Sequence, residues 1–275
     1  MHNLKSAIWN RKILLIILIA GAAIRIFLVG TAAGVNNDAF KYVRTAQEIS
    51  RSGVMAGLEG DHYWPYYPVN RQLVFYPLVG SGVNHLVGDM VLSLRIVSAM
   101  AGIGLIWLAY TVSKELFDKE PVALLAAGLL AFHPELAEAS ASVFREALTG
   151  FLLMLELLML LWARRGKRSW PAWAALSGLI LFAGFMTRPD AAAAAAGMGG
   201  VTLLVGAGLK WPKRLAIVTV MGAMFLALEV PYVLMLKQKT GYWMVTQWQI
   251  QSKMGRLEAA RRHLLDEGED HGSSQ

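Results

Sequence analysis

The 275 residues contain no cysteine, which excludes disulfides and thiolate metal sites and leaves the redox compartment open. An inverted repeat, or a matched pair of Gly/Pro-broken hydrophobic segments, is also missing, which argues against a secondary transporter of the repeat type. A soluble domain is excluded by what fills the chain instead. It is 56% hydrophobic, with a mean hydropathy of +0.45, and the apolar residues come in blocks of about 20, the length a helix needs to cross a bilayer core. The class this dictates is an all-α polytopic membrane protein, because each segment in lipid must satisfy its own backbone hydrogen bonds. A net charge of +7 would suggest nucleic acid in a soluble protein. Here it reads as topology, since cytoplasmic loops collect Lys and Arg.

Lys5, Arg11 and Lys12 precede an apolar run from Ile13 to about Gly30. A signal peptide, cleaved near Thr31-Ala32-Ala33, is the competing reading. The run is long for one, and Arg25 near its far end is foreign to a signal core. An ionisable residue inside a span is a functional candidate by default, although one near the end can snorkel to the interface.

A long non-spanning loop, 31–89, follows. The spacing of Phe40, Val43, Ala46 and Ile49 predicts a helix after Asn37, with Arg44 and Glu48 paired at i,i+4 and Gly53 as a stop. A second amphipathic juxtamembrane helix is predicted over 73–87, and the aromatic cluster around Tyr63-Trp64-Pro65-Tyr66-Tyr67 between them fits an interfacial belt. Six further spans are predicted at about 90–112, 121–133, 147–163, 170–186, 187–209 and 215–236, giving seven in all. Glu135, Glu138, Arg145 and Glu146 crowd what reads as a short turn before the fourth. Twelve Lys and Arg sit in the N-terminus, 113–120, 164–168 and 210–214, which assigns those segments to the cytoplasm. The long loop then faces outward, as does the tail from 237, whose acidic end reads as disordered. Residues 1–236 form the transmembrane domain on this reading and 237–275 the extracytoplasmic tail.

That topology gathers Asp38, Glu135, Glu138, Arg145, Glu146, Arg188 and Asp190 toward one face, and Tyr42 and Arg95 join them as substrate-binding candidates. Arginines bind phosphate bidentately, and a carboxylate can take a proton from an attacking hydroxyl. Carboxylates at span ends also suit Mg or Mn. Asp61, His62 and His133 are the metal candidates, with no specific spacing behind them.

Several stretches then match in order. They are Tyr76-Pro77-Leu78, Gly88-Asp89, Leu94-Arg95-Ile96-Val97-Ser98-Ala99 and Ala109-Tyr110-Thr111-Val112-Ser113-Lys114-Glu115-Leu116-Phe117. After them come Ala123-Leu124-Leu125-Ala126-Ala127, His133-Pro134-Glu135, Phe144-Arg145-Glu146-Ala147-Leu148 and Met186-Thr187-Arg188-Pro189-Asp190. In this order they resemble the GT-C class of membrane glycosyltransferases, specifically the protein-O-mannosyltransferase-like and aminoarabinose-transferase-like group. The resemblance implies transfer of a sugar from a polyprenyl-phosphate donor to a lipid, glycan or protein acceptor, on the extracytoplasmic side of the cytoplasmic membrane and with inversion. It gives Asp38 the place of the family's base. The family often has two adjacent acids there, and this chain has Asp38-Ala39. Glu146 matches the acid that begins the fourth span, and Arg188 the Thr-Arg-Pro arginine after the fifth. The chain is short for such an enzyme and reads as a compact, truncated or split member. Two other readings stand beside it: a non-catalytic lipid-linked-sugar binding or assembly protein on the same scaffold, and a small transporter or flippase, the latter suggested by Arg25, Glu156 and Glu229 within spans.

Overall fold

The computed structural model describes residues 2–31, 37–58, 74–165, 168–205 and 209–245. The described residues are helical, with no strand among them. The order is α1 (His2–Thr31), α2 (Asn37–Ser52), α3 (Val54–Leu58), α4 (Phe75–Val87), α5 (Met90–Phe117), α6 (Glu120–Phe132), α7 (Pro134–Ala141), α8 (Glu146–Arg165), α9 (Trp170–Phe185), α10 (Pro189–Val205) and α11 (Trp211–Thr240).

Each predicted span falls on a helix, but not every helix is long enough to be one. Trp9–Thr31 of α1, together with α5, α8 and α11, are long and apolar enough to cross a membrane. The pair α6 and α7, bent by 59° across His133, passes the same test as one broken span or re-entrant loop. That gives four spans, or five, where the sequence reading expects seven. With 16 residues in α9 and 17 in α10, each is about 25 Å long, short of a hydrocarbon core of about 30 Å.

The ends of these helices follow from local chemistry. Asp89 caps α5, its side chain accepting from the Leu92 amide at 2.9 Å, and the cap residue Asp118 closes the same helix in the left-handed region at φ +52°. Gly53, Gly88 and Gly241 follow α3's predecessor α2, α4 and α11 at φ +86°, +77° and +75°, where any other residue is strained. The segment that reads as a turn after His133 is instead the two-turn helix α7. His133 becomes its N-cap, with Nδ1 accepting from the Leu136 amide at 3.5 Å, and Pro134 occupies its first turn.

At the centre of the packing, α5 lies against α1, α4, α6, α7 and α8, while α8 also meets α9 and α10, and α9 meets α11. Leu94, Ile106, Leu108, Leu158 and Leu160 are fully enclosed in these contacts. Leu15, Ile16, Ile19, Ile26 and Phe27 of α1 and Leu215, Val218, Leu226, Val230 and Leu234 of α11 are exposed, as lipid-facing positions are.

Helix α2 is part of the same core. It buries Ala39, Tyr42, Ala46 and Ile49, whereas the expected stripe began at Phe40, which is 60% exposed. Both stripes have helical spacing. The one with a small leading residue wins because it lets α2 close on α4. Arg25 does not snorkel either. It is 1% exposed and donates to the carbonyls of Gly21 at 3.0 Å, Leu130 at 3.2 Å and Ala131 at 3.3 Å. The last carbonyls of α6 have no intrahelical partner because Pro134 ends the ladder, and a cation at that helix end offsets their partial negative charge.

Candidate functional site

Five elements meet at the end of the bundle where the Tyr42 side chain is buried. Its ring meets that of Tyr76, from α4, edge to face, with centroids 5.4 Å apart at 89°. The Tyr76 hydroxyl lies 2.9 Å from the Ser98 hydroxyl and 3.0 Å from the Leu94 carbonyl oxygen, both on α5. Ser98 Oγ donates to the Phe144 carbonyl at 2.9 Å, in the turn before α8. Beside it, Arg145 Nη1 donates to the Thr187 carbonyl at 3.2 Å, in the turn after α9, and the Phe75 amide donates to the Met186 carbonyl at 3.3 Å. This run of contacts ties the entry of α4 and the starts of α5, α8 and α10 into one end of the bundle.

The charged candidates lie at that end. Arg188 Nη1 is 3.7 Å from Glu146 Oε1, and Arg188 Nε donates to Asp190 at 3.0 Å to Oδ2 and 3.1 Å to Oδ1. Asp38, in the first turn of α2 and largely exposed, pairs with Lys41 at 2.8 Å. Burial pushes the Tyr42 hydroxyl above the usual phenol range. Arg145 and Arg188 pull it down, and Glu146 and Asp38 push it further up. Four charges from three separate places in the chain therefore act on one hydroxyl. Burial holds the Tyr76 hydroxyl high as well.

Of the sequence candidates, Asp38, Tyr42, Arg145, Glu146, Arg188 and Asp190 are brought together. Arg95 turns instead toward α1, with Nη1 3.5 Å from the Val29 carbonyl. Glu135 is exposed on the first turn of α7, and no ion pair joins it to the cluster among the described residues. Of the metal candidates, Asp61 and His62 lie outside the described residues, and His133 serves as a cap. Among the described residues no group of three or more His, Asp or Glu is arranged to hold a metal ion.

Tyr76 and Ser98 are not among the residues that the sequence reading singles out for the site. Their signal was there: a hydroxyl at an otherwise apolar helix position must find a partner. Deeper in the bundle, Glu156 on α8 is 1% exposed and accepts from Ser177 Oγ on α9 at 3.2 Å, while Glu229 on α11 is buried with both carboxylate oxygens unpartnered among the described residues.

The sequence profile described as dolichyl-phosphate-mannose-protein mannosyltransferase matches residues 74–245, more than half of the chain, and the chain belongs to that family. Among solved structures it is similar to the archaeal oligosaccharyltransferase AglB from Archaeoglobus fulgidus, determined in complex with an inhibitory peptide and a dolichol-phosphate. The TM-score is 0.52 over 94% of this chain at 14% identity, a likeness of fold alone. This chain covers 37% of the length of that one. No curated protein matches it by sequence.

Proposed function

We propose that this chain transfers a sugar from a polyprenyl-phosphate donor to a lipid, glycan or protein acceptor at the charged end of the bundle. The observation that carries the reading is the cluster at one end of the bundle, where Arg188 meets Glu146 and Asp190 and Arg145 binds the turn that holds Arg188, in a chain that matches a lipid-phosphate-sugar family over 74–245.

Each group has a part. Asp38 presents an exposed carboxylate, and its pair with Lys41 is a surface contact weak enough to yield to a substrate. It takes the proton of the acceptor hydroxyl or amine as the nucleophile attacks the anomeric carbon from the face opposite the phosphate, which inverts that centre. The departing polyprenyl phosphate carries negative charge that Arg188 and Arg145 stabilise. Tyr42 lends a hydroxyl beside them.

On this reading the charged end is extracytoplasmic, the N-terminus and the basic connectors are cytoplasmic, and the protein resides in the cytoplasmic membrane. Residues 1–236 form the transferase domain, with 237–275 as an outer tail, most of which (246–275) lies outside the described residues. The test is release of polyprenyl phosphate by the purified chain from a panel of polyprenyl-phosphate sugars with candidate acceptors, with the anomeric configuration of the product determined. An inverted product supports the reading. Failure to release polyprenyl phosphate from any donor by folded protein overturns it.

A further inference from the structure

Asp38, Arg145, Glu146 and Arg188 all sit in the first turn of a helix or immediately before one. Backbone groups there lie outside the full helical ladder, so other contacts must fix their direction. The Phe144 carbonyl, which shares a peptide plane with the Arg145 amide, is such a group. The ladder of α8 begins one residue later, with the Thr149 amide donating to the Arg145 carbonyl at 2.8 Å. Among the described residues the Phe144 carbonyl accepts its hydrogen bond from a side chain, Ser98 Oγ of α5, at 2.9 Å.

Ser98 is fully buried, as is Tyr76, and the two hydroxyls lie 2.9 Å apart. Each hydroxyl has one proton, and a carbonyl can only accept. With the Ser98 proton on the Phe144 carbonyl, the Tyr76 proton goes to Ser98 Oγ or to the Leu94 carbonyl 3.0 Å away. Gly80, one turn on from Tyr76 and on the same face of α4, lets the helix come this close to α5. A Cβ built there would collide with the Leu94 side chain. The contacts also continue outward. Arg145 Nη1 donates to the carbonyl of Thr187, the residue that precedes Arg188.

We propose that Ser98, its proton directed by Tyr76, is a positioning residue for the charged end of the bundle. By holding the Phe144 carbonyl it aims Arg145, and through Arg145 it sets the turn that carries Arg188. A buried carbonyl left without a donor is costly, so the peptide moves to recover a partner when the hydroxyl is lost. The catalytic importance of that aim rests on the transferase reading, whereas the linkage between the two turns does not.

Phe144-Arg145 is the one Phe-Arg pair in the chain, and Thr187-Arg188 the one Thr-Arg pair. Carbonyl-13C phenylalanine or threonine, each combined with 15N arginine, therefore gives a single carbon–nitrogen signal for each peptide, read by magnetic resonance on the full chain in lipid nanodiscs. Ser98→Ala is expected to move both signals, and Tyr76→Phe, which keeps the ring, to move both by less. A hydroxyl that only satisfied a buried carbonyl would move the Phe144-Arg145 signal alone. In Ser98→Ala, kcat/KM for release of polyprenyl phosphate is expected to fall at least about tenfold, as for a misplaced group near the reacting centre. If Ser98→Ala does not fold, Tyr76→Phe reads the same two signals. A Thr187-Arg188 signal that stays in place overturns the proposal, as does an unchanged kcat/KM in a variant whose signals have moved. A wild type that releases no polyprenyl phosphate counts against the transferase reading, and the two signals still decide whether Ser98 sets the turn.

Discussion

Arg188 Nη1 stands 3.7 Å from Glu146 Oε1, and one residue back on each strand of the chain Arg145 donates to the Thr187 carbonyl. Two adjacent contacts thus join the turn after α9 to the start of α8. The ion pair is half exposed, with side-chain exposures of 37% and 44%, so its contribution to stability is at most about 1 kcal/mol. Glu146→Gln is expected to leave thermal unfolding within that margin while lowering turnover by about tenfold or more, the scale set by misplacing a group near the reacting centre. Parallel unfolding and turnover measurements check it, and a loss of stability in step with activity would make the pair structural.

Arg188→Ala removes a charged donor to the leaving phosphate. Such a hydrogen bond contributes about 1.5–3 kcal/mol, so donor affinity should weaken by about ten- to a hundredfold. Titration of a polyprenyl-phosphate donor against wild type and variant reads this directly. Unchanged affinity would remove Arg188 from the phosphate site.

The pH dependence of stability has a definite sign. A tyrosine whose folded-state pKa is raised contributes stability that is full below its unfolded value, near pH 10, and is lost as pH rises through the folded value. Burial raises both Tyr42 and Tyr76. Unfolding temperature should therefore fall steeply above about pH 10, and Tyr42→Phe should flatten that fall. An alkaline slope identical in the variant would contradict the burial of the hydroxyl.

Two helix glycines separate packing from propensity. A Cβ at Gly178 would run into the Met221 backbone carbonyl, where α9 crosses α11, whereas one at Gly128 on α6 meets nothing within 4 Å. Gly178→Ala should cost about 1–3 kcal/mol through overpacking. Gly128→Ala should be neutral or stabilising by up to about 1 kcal/mol, as Ala is the better helix former. Thermal unfolding in detergent compares the two, and equal effects would mean that α9 and α11 are not in close contact.

Much of this architecture is legible in the residues, for reasons that also mark where the reading ends. Helix positions follow from apolar blocks and from stops such as Gly53 and Gly88, and most of the charged cluster follows from counting Lys and Arg by loop. The face of α2 does not, because Ala39, Tyr42, Ala46 and Ile49 have the same periodicity as the stripe from Phe40, and only contact with Tyr76 decides between them. Apolar composition is a weaker guide at α9 and α10, whose 16 and 17 residues sit at the short end of the span range. A proline marks the break at His133-Pro134 without saying that a helix resumes at once. Nor does position along the chain show that Arg95 turns toward α1 while Arg145 reaches Thr187, since those contacts come from how α1, α8 and α9 pack.

The central claim is that Asp38 serves as the base of a sugar transfer at the outer end of the bundle. The most direct test compares Asp38→Asn with wild type, in the same nanodiscs, for release of polyprenyl phosphate from a donor the wild type turns over. Asp38 is exposed and its only ion pair among the described residues is a surface contact with Lys41, so folding and donor binding should be unaffected. The account predicts turnover reduced by at least about a hundredfold. Release at a near-normal rate would contradict it.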